Sequence, residues 1–260
     1  MLEHIKRSKF EIAVLSFWII FLNSYRIFSE VIGVDTEQSL MAFDTHVNWT
    51  MGLGRFVSAF LMKILMPYGF SYKTAMLFIV LGWIGVCLLY HYFLEKYGNW
   101  NRWSCLVFSL AFVSCPIWSE QNYFVCTVFV NVIGMMFSIA AAHFMLQSFE
   151  NKLNWKKVWT AALFIVLAVG IYQALLYLVV ANCIIFLTVN AYTKKKRFAE
   201  YLRQGIGCIG LLAVSVILYF IVSRIMSALL YDSATDYVGF TDAASYITGR
   251  IRWFQDGIAG

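Results

Sequence analysis

The feature that most constrains this chain is a series of apolar runs, each about the length of a bilayer crossing, separated by short polar connections. A helix rises about 1.5 Å per residue, so about 20 apolar residues cross the hydrocarbon core. Clear runs lie at about 10–28, 74–94, 104–118, 123–146 and 205–226. The third is short and is expected to end at Pro116. Another apolar stretch, about 159–189, covers 31 residues. As one helix it would reach about 46 Å, against a core of about 30 Å. Basic clusters flank it, Lys156 and Lys157 before and Lys194, Lys195, Lys196 and Arg197 after. One crossing would put a basic cluster on each side of the membrane, whereas two put both on the same side. The stretch is therefore read as two crossings, with an outer turn around Gly170, Tyr172 and Gln173.

That reading gives an all-α membrane protein of about seven transmembrane helices in a single polytopic domain over residues 1–260. The N-terminus is cytoplasmic and the last segment lies outside. With 61% hydrophobic and 13% charged residues, the composition excludes a soluble globule, a disordered chain and a coiled coil. Lys6, Arg7 and Lys9 precede the first run with no small-residue cleavage site after it, so it is read as a retained span rather than a signal peptide. In this topology 13 of the 20 Lys and Arg face the cytoplasm and nine of the 14 acids lie outside, as the positive-inside rule requires. The net charge of +6 therefore reflects orientation, not nucleic-acid binding. The chain stops soon after an outer segment without a closing span, which reads as an incomplete or truncated sequence.

The six cysteines lie in apolar stretches with no CxxC pair, so they read as small hydrophobes rather than a disulfide framework or metal site. No Walker A loop, HExxH or dinucleotide fingerprint is present. No cofactor and no metal are expected. Chemistry concentrates instead in the first outer loop, 29–73. It gathers Glu30, Asp35, Glu37, Asp44, His46, Trp49 and Arg55. Apolar residues at 56, 57, 60, 61, 64 and 65, with Lys63 on the polar side and Pro67 at the end, predict an amphipathic helix on the outer membrane surface. Arginine grips phosphate oxygens in a bidentate fork, and a carboxylate can take the proton of an attacking hydroxyl. A polar outer loop is also what water at a membrane surface demands, so the cluster alone does not prove a site.

The runs VDTEQ (34–38), DTHVNW (44–49) and GLGRF (52–56), followed by the amphipathic helix, resemble the opening of the bacterial O-antigen glucosyltransferase II-like family. GIYQA (170–174) is a second point of likeness. Asp35, Trp49, Gly54 and Arg55 fit that family's pattern. Thr36 stands where a second adjacent acid is common, with Glu37 one place later. The resemblance implies a multispan GT-C-type glycosyltransferase in a bacterial inner membrane. It implies a polyprenyl-phosphate-linked hexose, commonly glucose, as donor. A cell-surface glycan on the outer face would be the acceptor, with inversion at the anomeric carbon. On that basis Asp35 is the first choice for catalytic base and Asp44 the second. Glu37, Arg55, His46, Trp49, Glu120 and Gln173 are the candidate substrate-binding residues. The alternative is a transporter or flippase component for a lipid-linked or surface glycan. Such proteins place ionisable groups at the bilayer midplane, and the spans here are nearly free of charge.

Overall fold

The computed structural model describes residues 9–30, 33–122, 124–150, 153–194 and 198–230. All regular elements among them are helices: α1 (Lys9–Ser29), α2 (Val34–Met41), α3 (Phe43–Gly52), α4 (Phe56–Leu65), α5 (Tyr72–Gly98), α6 (Arg102–Val113), α7 (Pro116–Gln121), α8 (Val125–Ser148), α9 (Trp155–Ile171), α10 (Leu175–Lys194) and α11 (Phe198–Leu230). Five of these, α1, α5, α8, α10 and α11, are long and apolar enough to cross a membrane. The chain is thus a helical membrane protein.

Side-chain contacts fix the relative directions of the helices. Tyr97 of α5 meets His143 of α8, and a Cβ on Gly82 would meet Val132, so α5 and α8 run parallel. Phe144 of α8 stacks on Phe164 of α9, while Gly134 of α8 lies against Ile171, so α9 returns antiparallel. Gly134 also faces Leu175, and Cys183 of α10 touches Met145 of α8, so α10 turns back again. The 31-residue apolar stretch is therefore a helical hairpin. Its turn falls at the expected place, where Tyr172 leaves α9 in an extended conformation (φ −155°, ψ 123°). α11 runs antiparallel to α8, with Gln204 donating to the Leu146 carbonyl at one end and Tyr219 reaching Gln173 at the other. α1 is clasped to α6 by a two-pronged ion pair, Arg102 Nε to Glu11 Oε1 at 2.8 Å and Arg102 Nη2 to Glu11 Oε2 at 3.3 Å.

Polar side chains start the helices. Ser71 caps α5, Asn101 caps α6 and Asn154 caps α9, each accepting from the backbone N–H three residues on. Asn99 stops α5 in the left-handed region, its N–H bonded to the Glu95 carbonyl. Lys96, Arg102, Lys156, Lys157 and Arg203 cluster at the helix ends on one side of the bundle, and α2, α3 and α4 cover the other.

Two expectations change in detail. The first outer loop carries three helices rather than one, so Asp35 and Glu37 lie on α2, and Asp44, His46 and Trp49 on α3. Asp and the β-branched residues here are weak helix formers, and the segments are too short for periodicity to read. The third run does not end at Pro116. It breaks at Ser114–Cys115, and Pro116 opens α7, where its missing N–H costs nothing. The tail beyond 230, including Asp232, Asp236, Asp242 and Asp256, falls outside the described residues, as do Lys195, Lys196 and Arg197.

Candidate functional site

The segment Trp49–Phe56 folds back on itself. The Leu53 N–H bonds the Trp49 carbonyl, the Gly54 N–H bonds Met51, and the Arg55 N–H bonds Thr50. Gly54 sits at φ +77°, a region costly for any residue with a Cβ. A Cβ there would also lie 2.9 Å from both the Tyr219 hydroxyl and Ser223 Oγ. The turn therefore presses its bare backbone against α11, and this contact accounts for the second glycine of GLGRF.

The same turn docks on the α9–α10 hairpin. Gln173 Nε2 donates to the Leu53 carbonyl (2.7 Å) and to the Tyr219 hydroxyl (3.0 Å). Tyr219 in turn donates to the Gly54 carbonyl at 3.1 Å. Arg55 Nε donates to Gln173 Oε1 at 3.3 Å, and its guanidinium lies 4.6 Å from the centre of the Tyr172 ring. The Phe56 ring stacks on Tyr219, and a Cβ on Gly170 would lie 2.7 Å from Val57. GLGRF and GIYQA, more than a hundred residues apart in sequence, thus form one junction closed by α11.

The electrostatics follow from this packing. Burial lowers the pKa of Arg55 from its ordinary value, while the neighbouring Tyr172 and Tyr219 raise it. An arginine remains charged in such a setting. Its hydrogen bond among the described residues uses Nε alone. No hydrogen bond from either Nη group is made among the described residues, and the Nη pair is a fork that can grip a phosphate end-on. Partial exclusion of water strengthens whatever charge interaction they make.

The other candidate residues are spread along α2, α3 and α7. α2 buries Thr36 and Ser39 and leaves Glu37 exposed. Asp35 is on the same helix, but its side chain and that of Glu120, on α7, are outside the described set. His46 is buried in α3 with its ring 5.7 Å from that of half-buried Trp49. Asp44 is exposed at the start of α3 and lines a cavity of about 590 Å³ together with Lys63. α3 and α4 fold back from the Gly54 turn, so Asp44 and Arg55 occupy opposite ends of the pair. α4 forms as expected, but its packed face is Phe56, Ala59, Met62 and Met66, while Phe60 and Ile64 remain exposed. Small Ser58 and Ala59 let that side approach the bundle closely. Arg224, a further cation near the end of α11, is exposed.

Of the candidates, the fold brings Arg55 and Gln173 into contact and His46 and Trp49 into contact. The sequence did not single out Tyr219 or the Leu53 and Gly54 carbonyls. The available signal was Tyr219 within an apolar span, since a buried phenol needs a hydrogen-bond partner. Among the described residues no cluster of His, Cys, Asp and Glu could hold a metal ion.

No curated protein and no solved structure matches the chain. A family model does match, over residues 24–255, so it includes both halves of the Arg55 junction. With its apolar helices and that match along most of its length, the chain belongs to the family described as Glucosyl transferase GtrII.

Proposed function

We propose that this membrane glycosyltransferase moves a hexose, glucose by its family, from a polyprenyl-phosphate carrier to a cell-surface glycan on the outer face of a bacterial inner membrane. Seven crossings of GT-C type, with the N-terminus in the cytoplasm, place the Lys-rich end inside and the α2–α4 end outside. The observation that carries the reading is Arg55, half-buried and held along its Nε edge by Gln173 and Tyr172. A cation fixed in this way suits a phosphate at headgroup height.

In the reaction an acceptor hydroxyl attacks the anomeric carbon. The new C–O bond forms as the C–O bond to phosphate breaks, and the configuration inverts. The polyprenyl phosphate leaves as an anion, and Arg55 stabilises the charge that develops on it. A carboxylate takes the hydroxyl proton, and Asp35 on α2 fills that role. The leaving group is a stable monophosphate ester, so the step calls for no metal to mask a diphosphate.

The test offers purified protein in liposomes either glucosyl polyprenyl phosphate or a nucleotide glucose, with surface polysaccharide as acceptor. Transfer from the lipid-linked sugar alone, with inversion, supports the reading. Transfer from the nucleotide sugar, or flipping of the lipid without transfer, overturns it.

A further inference from the structure

The cavity at the far end of the α3–α4 pair plays no part in the phosphate site. Its walls come from the α2–α3 junction (Ala42, Asp44, Thr45) and from the end of α4 and the turn after it (Lys63, Pro67, Tyr68). At about 590 Å³ it falls within the size range of small-molecule sites. Its chemistry is mixed. Asp44 supplies an exposed carboxylate and Lys63 an exposed ammonium, and the two are not bonded to each other among the described residues. Tyr68 is fully exposed, so its ring is open to a ligand at the edge of the groove. A Cβ on Gly69 would meet nothing within 4 Å, so the groove is open there.

A carboxylate and an ammonium lining one cavity suit a ligand that both donates and accepts hydrogen bonds. A free aromatic ring beside them suits a flat, weakly polar face. A saccharide has both properties. A simple anion would be repelled by Asp44, and an apolar chain would strand both charges. Lys63 lies eight residues beyond Arg55 along α4, a separation of about 12 Å. A ligand seated at Lys63 is therefore clear of the phosphate site yet on the same helix pair.

We propose that this groove binds the acceptor glycan, with Asp44 and Lys63 bonding sugar hydroxyls and Tyr68 stacking on a sugar ring. The assignment rests on the transferase reading above, and it makes Asp44 an acceptor-binding residue rather than the base.

The experiment uses surface polysaccharide from cells lacking this gene, released from its lipid by mild acid. Its binding to the full chain in nanodiscs is read by saturation-transfer NMR. Wild-type protein should saturate the glycan protons, and Arg55→Ala should do so equally. Asp44→Asn and Tyr68→Ala, both at exposed positions that the fold tolerates, should each weaken binding about tenfold or more. In the transfer assay they should raise the acceptor KM and leave the donor KM unchanged. No glycan binding by the wild type, or undiminished binding by both variants, overturns the proposal. A change confined to phosphatidylethanolamine binding would assign the groove to a lipid headgroup instead and equally overturn it. Binding that follows these variants in a protein without transfer activity would leave the groove standing and defeat the transferase reading alone.

Discussion

At the residue scale, the site depends on a backbone that only glycine fits. Gly54 combines a positive φ of 77° with a Cβ direction that ends 2.9 Å from Tyr219 and Ser223. Gly54→Ala should therefore cost about 1–2 kcal/mol in backbone strain before the contact with α11 is counted. The midpoint of thermal unfolding in detergent should fall, and transfer should fall further because Arg55 follows in the chain. Gln173 is the other pivot. Gln173→Leu leaves the part-buried Leu53 carbonyl and Arg55 Nε without their partner, a cost of about 0.5–1.5 kcal/mol for each bond lost. Gln173→Glu keeps an acceptor for Arg55 but has no hydrogen to offer the Leu53 carbonyl. Transfer by the Glu variant should lie between wild type and the Leu variant. Equal activity in all three would show that the junction does not position Arg55. The sequence marked Arg55 and Gln173 as candidate substrate-binding residues. It did not display their contact, because contact between residues 118 apart is made by folding and has no local pattern.

At the scale of elements, the α9–α10 hairpin was legible and the cap of short helices was not. The hairpin was readable because length and charge constrain it together: an apolar run too long for one crossing, with a basic cluster at each end. The structure puts the turn at Tyr172–Ala174, overlapping the polar trio that the sequence marked. α2 and α3 have no such constraint. They are eight and ten residues long, too short for propensity or periodicity to decide, and they are stabilised by what they cover. The amphipathic face of α4 was legible only in part, since Phe60 and Ile64 belong to its apolar pattern but stay exposed. The junction of α11 with the Gly54 turn gives the prediction at this scale. Tyr219→Phe keeps the ring stacked on Phe56 but loses the bond to the Gly54 carbonyl and the acceptor for Gln173. It should lower transfer about tenfold at unchanged protein level, as the loss of two part-buried hydrogen bonds predicts. Protein level is checked by quantitative blotting of the membrane fraction, and a variant as active as wild type would place α11 outside the site.

At the scale of the molecule, the account requires that α2–α4 face outward and the Lys-rich ends inward. Cysteine labelling on intact cells tests this, with exposed Cys115 first replaced by Ala. A cysteine at Lys73, exposed at the start of α5, should react with a membrane-impermeant maleimide. One at Lys156, at the start of α9, should react only after the cells are opened. The reverse pattern would put the Arg55 junction on the cytoplasmic side, beyond reach of a surface glycan. The central claim is that Arg55 carries the phosphate in the transition state, and the most direct test measures kcat for glucosyl transfer from polyprenyl phosphate by Arg55→Lys and Arg55→Ala at matched membrane levels. Loss of an electrostatic donor to a developing anion predicts a fall of about 10²–10³ for Ala, with Lys recovering little because it lacks the fork. Transfer by Arg55→Ala within threefold of wild type would contradict the claim.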